Sequence, residues 1–261
     1  LEGFARLAEE LLPRSKTVFL SAATEPLVAP SFLRILEITA GYHPIEIKLL
    51  TNATLLTDAV ADALVRHATA EVQISIDGAT ARTFEQIRRG ARFDDVLRNV
   101  ARLTDAKRRL GATAPLLQFN VTLMRSNLDE LPGIVDLAAA LGVQRIGCRH
   151  VVPYDGLGME AESLSREPLR ANRGLAAMLA RAAPAGVAIV NFPDYFAIDG
   201  QPWRPLPARE TPEPTRGEST PAARPGVDPR FEAGPLGRLD GPTAAEFESP
   251  GHLDLHGWAL A

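Results

Sequence analysis

The sequence predicts an α/β fold, a β/α barrel or part of one, and three observations carry that expectation. Six short apolar or alternating runs have the length of strands. Between them lie longer stretches whose apolar residues fall three and four apart, the spacing of an amphipathic helix. Strand then helix recurs along the chain, which is the pattern of parallel βαβ units closed into either a doubly wound sheet or a full or partial barrel. The first strand is followed by Ser21-Ala22-Ala23-Thr24-Glu25-Pro26, a poor match to a dinucleotide or P-loop phosphate cradle, and this favours the barrel.

The chain opens with an apparent helix over Leu1 to Leu12, with Phe4, Leu7, Ala8, Leu11 and Leu12 on one face. Strands are expected at Lys16 to Ala22, Glu46 to Leu50, Glu71 to Ile76, Leu116 to Met124, Val143 to Val151 and Val187 to Phe192. The helices between them show as stripes: Leu33, Leu36 and Ile38; Leu56, Val60, Leu64 and Val65; Phe93, Val96, Leu97, Val100 and Leu103; Ile134, Val135, Leu137 and Leu141. Thr57-Asp58 reads as a helix start, and Gly111 and Gly142 as helix stops. The register implies that the strand preceding the first helix, and the loop after that strand, lie outside this chain. The expected organisation is a barrel over 1–197, a proline-rich linker over 198–236, and the start of a truncated β-sandwich-like accessory domain over 237–261. In the last segment His252 and His256 share one strand face, too far apart for a zinc pair.

Composition narrows the function. With 28 Lys+Arg against 32 Asp+Glu the formal charge is −4, which argues against a nucleic-acid or anionic-membrane partner. No apolar run approaches the roughly 20 residues of a membrane-spanning helix and no signal segment opens the chain, so a cytoplasmic location is expected. The single cysteine, Cys148, excludes an internal disulfide and a cysteine-rich metal site built from these residues alone.

In a β/α barrel the reactive groups come from the C-terminal ends of the strands. Those ends carry Thr24-Glu25, Thr51-Asn52, Ser75 with Asp77, Asn120 with Thr122, and Arg149, His150 and Tyr154. Each has a structural reading as well. Asn52 suits a turn, Asp77-Gly78 a turn or a helix cap, Arg88-Arg89 a solvated helix end, and Cys148 a small buried hydrophobe. Glu25, fixed by Pro26 at a strand exit, is equally suited to binding.

The order of these features resembles the radical S-adenosylmethionine superfamily, in its peptide-modifying, SPASM-like branch. Thr24-Glu25-Pro26-Leu27 with Pro30-Ser31-Phe32 resembles the family's Gly-Gly-Glu-Pro-Leu region, the two glycines standing here as Ala23-Thr24. Thr51-Asn52-Ala53 resembles its Thr-Asn-Gly stretch, and Ile74-Ser75-Ile76-Asp77-Gly78 its Ser-(Ile/Leu)-Asp-Gly segment. Phe84 to Ala91, then Phe93-Asp94-Asp95-Val96 and Asn99, follow in the family's order.

The resemblance implies a partial (β/α)6 TIM-like barrel holding a [4Fe–4S] cluster and S-adenosylmethionine, with generation of a 5′-deoxyadenosyl radical that acts on a peptide or small metabolite. It places Thr24 and Glu25 at the methionyl ammonium, and Ser75, Asp77 and Asn52 near the ribose hydroxyls or the methionyl carboxylate. Arg88 would be a carboxylate partner, and the adenine would rest near Val121 and Gly147 to Arg149, including Cys148. A reductant such as a flavodoxin or ferredoxin is implied. The family's Cys-x3-Cys-x2-Cys ligands belong on the loop that register places ahead of Leu1, so the chain is expected to be a fragment of such an enzyme, inactive by itself. Two alternatives stay open: a degenerate barrel that binds a ligand or peptide without redox chemistry, and an aldolase-like barrel using Lys48.

Overall fold

The computed structural model describes residues 1–21, 24–152 and 159–205, and the backbone of 252–254. The strands are β1 (Thr17–Phe19), β2 (Glu46–Thr51), β3 (Glu71–Ser75), β4 (Leu116–Leu123), β5 (Arg145–His150), β6 (Ala188–Val190) and β7 (His252–Asp254). The helices are α1 (Glu2–Leu11), α2 (Phe32–Ala40), α3 (Asp58–Arg66), α4 (Ala81–Ile87), α5 (Phe93–Arg109), α6 (Leu131–Ala140) and α7 (Pro168–Ala185).

All neighbouring strands run parallel, in the order β6-β5-β4-β3-β2-β1-β7. From β1 to β6 each strand lies beside its predecessor, without the reversal of order that a doubly wound sheet requires. Right-handed crossovers in such a series put every connecting helix on one face and leave the other concave, which is a partial barrel of six strands. Within the segment expected to open a separate β domain, His252–Asp254 instead pairs with β1 of the barrel, Thr17 opposite His252. The remainder of 206–261, including His256, lies outside the described residues.

The period-two alternation of the strands explains the layering. Val18, Ile47, Leu49, Val72, Ile74, Leu117, Phe119 and Ile146 are buried on the helix-covered face. Lys48, Glu71, Gln73, Ser75, Gln118, Asn120, Arg145, Gly147 and Arg149 alternate with them and therefore share the concave face.

α5 buries Phe93, Val96, Val100, Leu103 and Ala106. Asp94 and Asp95 in its first turn, and Lys107, Arg108 and Arg109 in its last, complement the helix dipole. The Thr57 hydroxyl accepts from the Val60 N–H at the start of α3, and Gly111 and Gly142 follow α5 and α6 with φ of 63° and 70°, as the sequence suggests. α2 corrects its expected stripe: Phe32, Leu36 and Thr39 are buried, and Leu33 faces solvent. The stripe of α7 is weak in sequence because two of its buried residues are Ala171 and Ala182. No described helix is long and apolar enough to cross a membrane.

These burial assignments are testable by urea unfolding. Leu103→Ala removes a fully buried side chain and should cost about 2–5 kcal/mol. Leu33→Ala, on the exposed face of α2, should stay within about 0.5 kcal/mol of the parent.

Candidate functional site

The C-terminal ends of β1, β2, β3 and β4 bring most of the expected polar residues to one end of the sheet. Glu25 follows β1, and its carboxylate is received by β2: Oε1 accepts from the Thr51 hydroxyl at 2.6 Å and Oε2 from the Asn52 N–H at 2.6 Å. Oε1 also accepts from the Leu27 N–H, which fixes the 3-10 turn Pro26–Val28. An ionised carboxylate has about four lone-pair positions, so one acceptor position remains at this strand end.

The loop that receives Glu25 is itself held. Ala53 has φ of 58°, in the left-handed region that the glycine of a Thr-Asn-Gly stretch occupies without strain. Asn99 of α5 donates through Nδ2 to the carbonyls of Ala53, at 2.7 Å, and Thr54, at 3.2 Å. Asn52 is a turn residue through its side chain, since its Oδ1 accepts from both the backbone and the hydroxyl of Thr54.

Asp77, just past β3, is 2% exposed. Its Oδ1 accepts the Thr122 N–H at 2.6 Å, and its Oδ2 meets an Arg88 guanidinium nitrogen at 2.7 Å. Burial pushes its carboxyl above the ordinary range, against the opposing pull of the Arg88 charge and the Thr122 hydrogen bond. Arg88 Nε is buried without an acceptor among the described residues. The sequence reading of Asp77-Gly78 as a turn also has a cause here. A Cβ on Gly78 would lie 2.6 Å from the backbone nitrogen of Phe84, so α4 packs directly against this position.

Two residues that sequence reasoning missed hold this corner. Asn127, fully buried, donates to the carbonyls of Asp77 and Thr122 and accepts from the Met124 N–H. Glu130 accepts from the N–H groups of Ala79 and Thr80 and from the hydroxyls of Thr80 and Thr83 at the start of α4. Burial raises the Glu130 carboxyl, but the hydrogen bonds from Thr83, Thr80 and Ala79 outweigh it and hold the group below its usual range. The only sequence signal for either residue is its type, a short amide or a carboxylate in a loop after a strand.

Other expected residues are placed differently. Val121 and Cys148 lie opposite each other on the helix-covered face. Cys148 Sγ is 3.9 Å from Met178 Sδ of α7, and burial pushes its thiol up to about 12. Neither side chain reaches the concave face, because both fall on the alternate strand positions to Asn120, Thr122, Gly147 and Arg149. Thr24 is exposed, Ser75 and Arg149 are on the concave face, and Tyr154 lies outside the described residues. Lys48 lies 3.8 Å from Glu71, a carboxylate partner.

Beyond β6 the chain forms an aromatic wall. Asn172 of α7, buried, exchanges two 2.8 Å hydrogen bonds with the backbone N–H and C=O of Phe196. The Phe196 ring stands edge-on to His150, and Tyr195 packs against Phe192 and Trp203. Burial lowers the His150 imidazole below its ordinary range.

Residues 1–146 match the radical SAM superfamily. The chain belongs to that family. It is similar to the mycofactocin maturase MftC of Mycolicibacterium smegmatis, with 31% identity over 118 residues that span 45% of this chain and 28% of the maturase. The AdoMet-dependent heme synthase of Methanosarcina barkeri is 29% identical over 159 residues, which span 60% of this chain and 43% of the synthase. Among solved structures, Streptococcus suis SuiB superposes with a TM-score of 0.58 at 14% identity, over 71% of this chain and 42% of SuiB. This chain therefore matches less than half the length of each of these relatives.

Radical SAM enzymes use S-adenosylmethionine and a [4Fe–4S] cluster. The strand-end groups fit the first, since they include a carboxylate with a free acceptor position and a guanidinium with an unpartnered buried Nε. They do not fit the second. Thiolates hold such a cluster, and the one cysteine is packed beneath α7. Among the described residues no group of three or more His, Cys, Asp or Glu could hold a metal ion.

Two outcomes follow for the scaffold of this site. Asn99→Asp keeps the shape of the side chain but removes both N–H donors, so it should destabilise the chain as much as Asn99→Ala, by about 1–3 kcal/mol in urea titrations. Because the carboxyl of Glu130 is lowered in the folded state, its contribution is present above the ordinary pKa of 4.5 and is lost as pH falls through the folded value. Glu130→Gln should therefore flatten the acid limb of a melting-temperature profile.

Proposed function

We propose that this chain is the S-adenosylmethionine-binding barrel of a radical SAM enzyme that modifies a peptide. The observation that carries the reading is the pairing of buried Asp77 with half-buried Arg88, whose Nε is buried and unpartnered among the described residues, near the strand ends that also bear Glu25 and Ser75. Glu25 would take the methionyl ammonium, which seeks a carboxylate. Arg88 would take the methionyl carboxylate, aided by the Ser75 hydroxyl, because a guanidinium matches a carboxylate in charge and in planar fork geometry. Asp77 would hold Arg88 in place without itself touching the ligand. The chemistry such a ligand brings is hydrogen-atom abstraction by its adenosyl group, and this chain's part is to orient it and exclude water.

The peptide substrate is supported by the similarity to MftC and to SuiB, which was solved with its precursor peptide SuiA. In this proposal the cluster thiolates come from outside these 261 residues, since Cys148 is the only cysteine here. An electron donor such as a flavodoxin or ferredoxin and a cytoplasmic setting belong to the same proposal.

Calorimetric titration of S-adenosylhomocysteine, which lacks the reactive sulfonium, tests the binding half of the reading. The chain should bind it, and Ser75→Ala should bind about threefold to tenfold more weakly at unchanged melting temperature. A chain that takes up no such ligand refutes the assignment. The redox half is tested by anaerobic iron and sulfide analysis. A protein carrying a Cys-x3-Cys-x2-Cys loop ahead of Leu1 should take up about four irons, whereas this chain alone should take up none. Ligand binding without iron in the longer protein would favour a degenerate binding barrel.

A further inference from the structure

A chain of side-chain amides crosses the concave face beneath the strand ends. Gln118 Nε2 donates to Asn120 Oδ1 at 2.7 Å, Asn120 Nδ2 to Gln73 Oε1 at 2.8 Å, and Gln73 Nε2 to Glu71 Oε1 at 2.6 Å. Lys48 Nζ stands 3.8 Å from the other Glu71 oxygen. Gln118 and Asn120 are among the few buried polar side chains of the sheet.

The direction of this chain follows from its end. A carboxylate only accepts, so Gln73 must turn its NH2 toward Glu71 and its oxygen toward Asn120. Asn120 must then donate to Gln73 and accept from Gln118, and turning over any one amide would set donor against donor or oxygen against oxygen. Each bond also polarises the next. The chain has room because of one residue on the neighbouring strand. A Cβ at Gly147 would lie 2.7 Å from Gln118 Nε2 and 3.1 Å from Asn120 Oδ1.

Asn120 is thereby locked with its oxygen occupied and one N–H uncommitted among the described residues. It sits opposite Ser75 on β3 and Gly147 on β5, one inward-facing position before Thr122, whose N–H binds Asp77. With Glu25 and Arg88 holding the methionyl end near β1 to β3, an extended ligand runs on toward β4. The three strand spacings from β1 to β4 amount to about 14 Å, room for an amino acid joined to a nucleoside.

We propose that Asn120 donates a hydrogen bond to the nucleoside part of the ligand, with Gln73, Glu71, Gln118 and Gly147 as the positioning residues that fix its amide. The proposal rests on the reading that this face takes an adenosyl ligand.

S-Adenosylhomocysteine is titrated into isotope-labelled chain while the side-chain amide signals and the backbone signals of Gly78 and Thr122 are followed by NMR. The expected result is a shift of the Asn120 NH2 together with those backbone signals. Backbone shifts with a stationary Asn120 amide would overturn the proposal and leave the functional reading standing. No shift anywhere would overturn both.

The positioning role is read separately from Glu71→Gln, which preserves shape but removes the obligate acceptor. Affinity for S-adenosylhomocysteine should fall about fivefold while the melting temperature holds, since only the orientation of one hydrogen bond is degraded. Gly147→Ala should lose affinity as well, and Glu71→Asp, which restores an acceptor-only partner, should recover part of what Glu71→Gln loses. An affinity equal to the parent's in Glu71→Gln would overturn the relay.

Discussion

Asp77 is where the C-terminal end of the sheet is tied together. One of its oxygens holds the Thr122 N–H and the other holds Arg88, so a single buried carboxylate joins the end of β3, the end of β4 and the end of α4. A buried anion is tolerated only when its oxygens are matched, and here a cation and a backbone donor match them. Asn127 and Glu130 work outward from the same point. The first bridges the carbonyls of Asp77 and Thr122, and the second collects the donors exposed at the start of α4. The loop that carries Asp77 is therefore fixed from both sides by the chain itself.

The same economy of contacts governs Glu25. Glu25 lies in the loop that follows the three-residue strand β1, and its carboxylate gains its orientation from Thr51 at the end of β2 and from Asn52 just past it. That loop depends in turn on Asn99, which reaches from α5 to hold a segment containing Ala53 in a conformation unfavourable for any residue with a Cβ. Helix, loop and acidic residue thus form one mechanical unit. The resemblance of Thr51-Asn52-Ala53 and Asn99 to family motifs has a structural meaning: the motifs are two halves of one clamp.

The barrel was legible because its signal is a period. Alternation along β2 to β5 and the stripe of α5 follow directly from which faces must be dry. Leu33 misled because three residues before Leu36 is as good a helical spacing as four, and it is Phe32, four before, that is buried. α7 carries alanine where a stripe would ordinarily show leucine. For the candidate site, residue type at a strand end singled out Glu25, Ser75 and Asp77, and the family resemblance added Arg88, which pairs with Asp77. They could not separate Asn120 from Val121 or Gly147 from Cys148, because which face a residue occupies depends on register within a strand. Asn127 and Glu130 act through partners some fifty residues distant in sequence, Asp77 and Ala79, and no local pattern records such a pairing.

The wall beyond β6 is moored, like the loops held by Asn99 and Asn127, by a buried asparagine. Asn172 grips Phe196 through main-chain atoms only, so the path of the segment does not depend on which side chains it carries. Phe192, Tyr195 and Phe196 could be exchanged for other residues while the mooring stayed intact. A lineage that keeps the asparagine can therefore reshape this wall by point substitution, without rebuilding the barrel to which it is fastened.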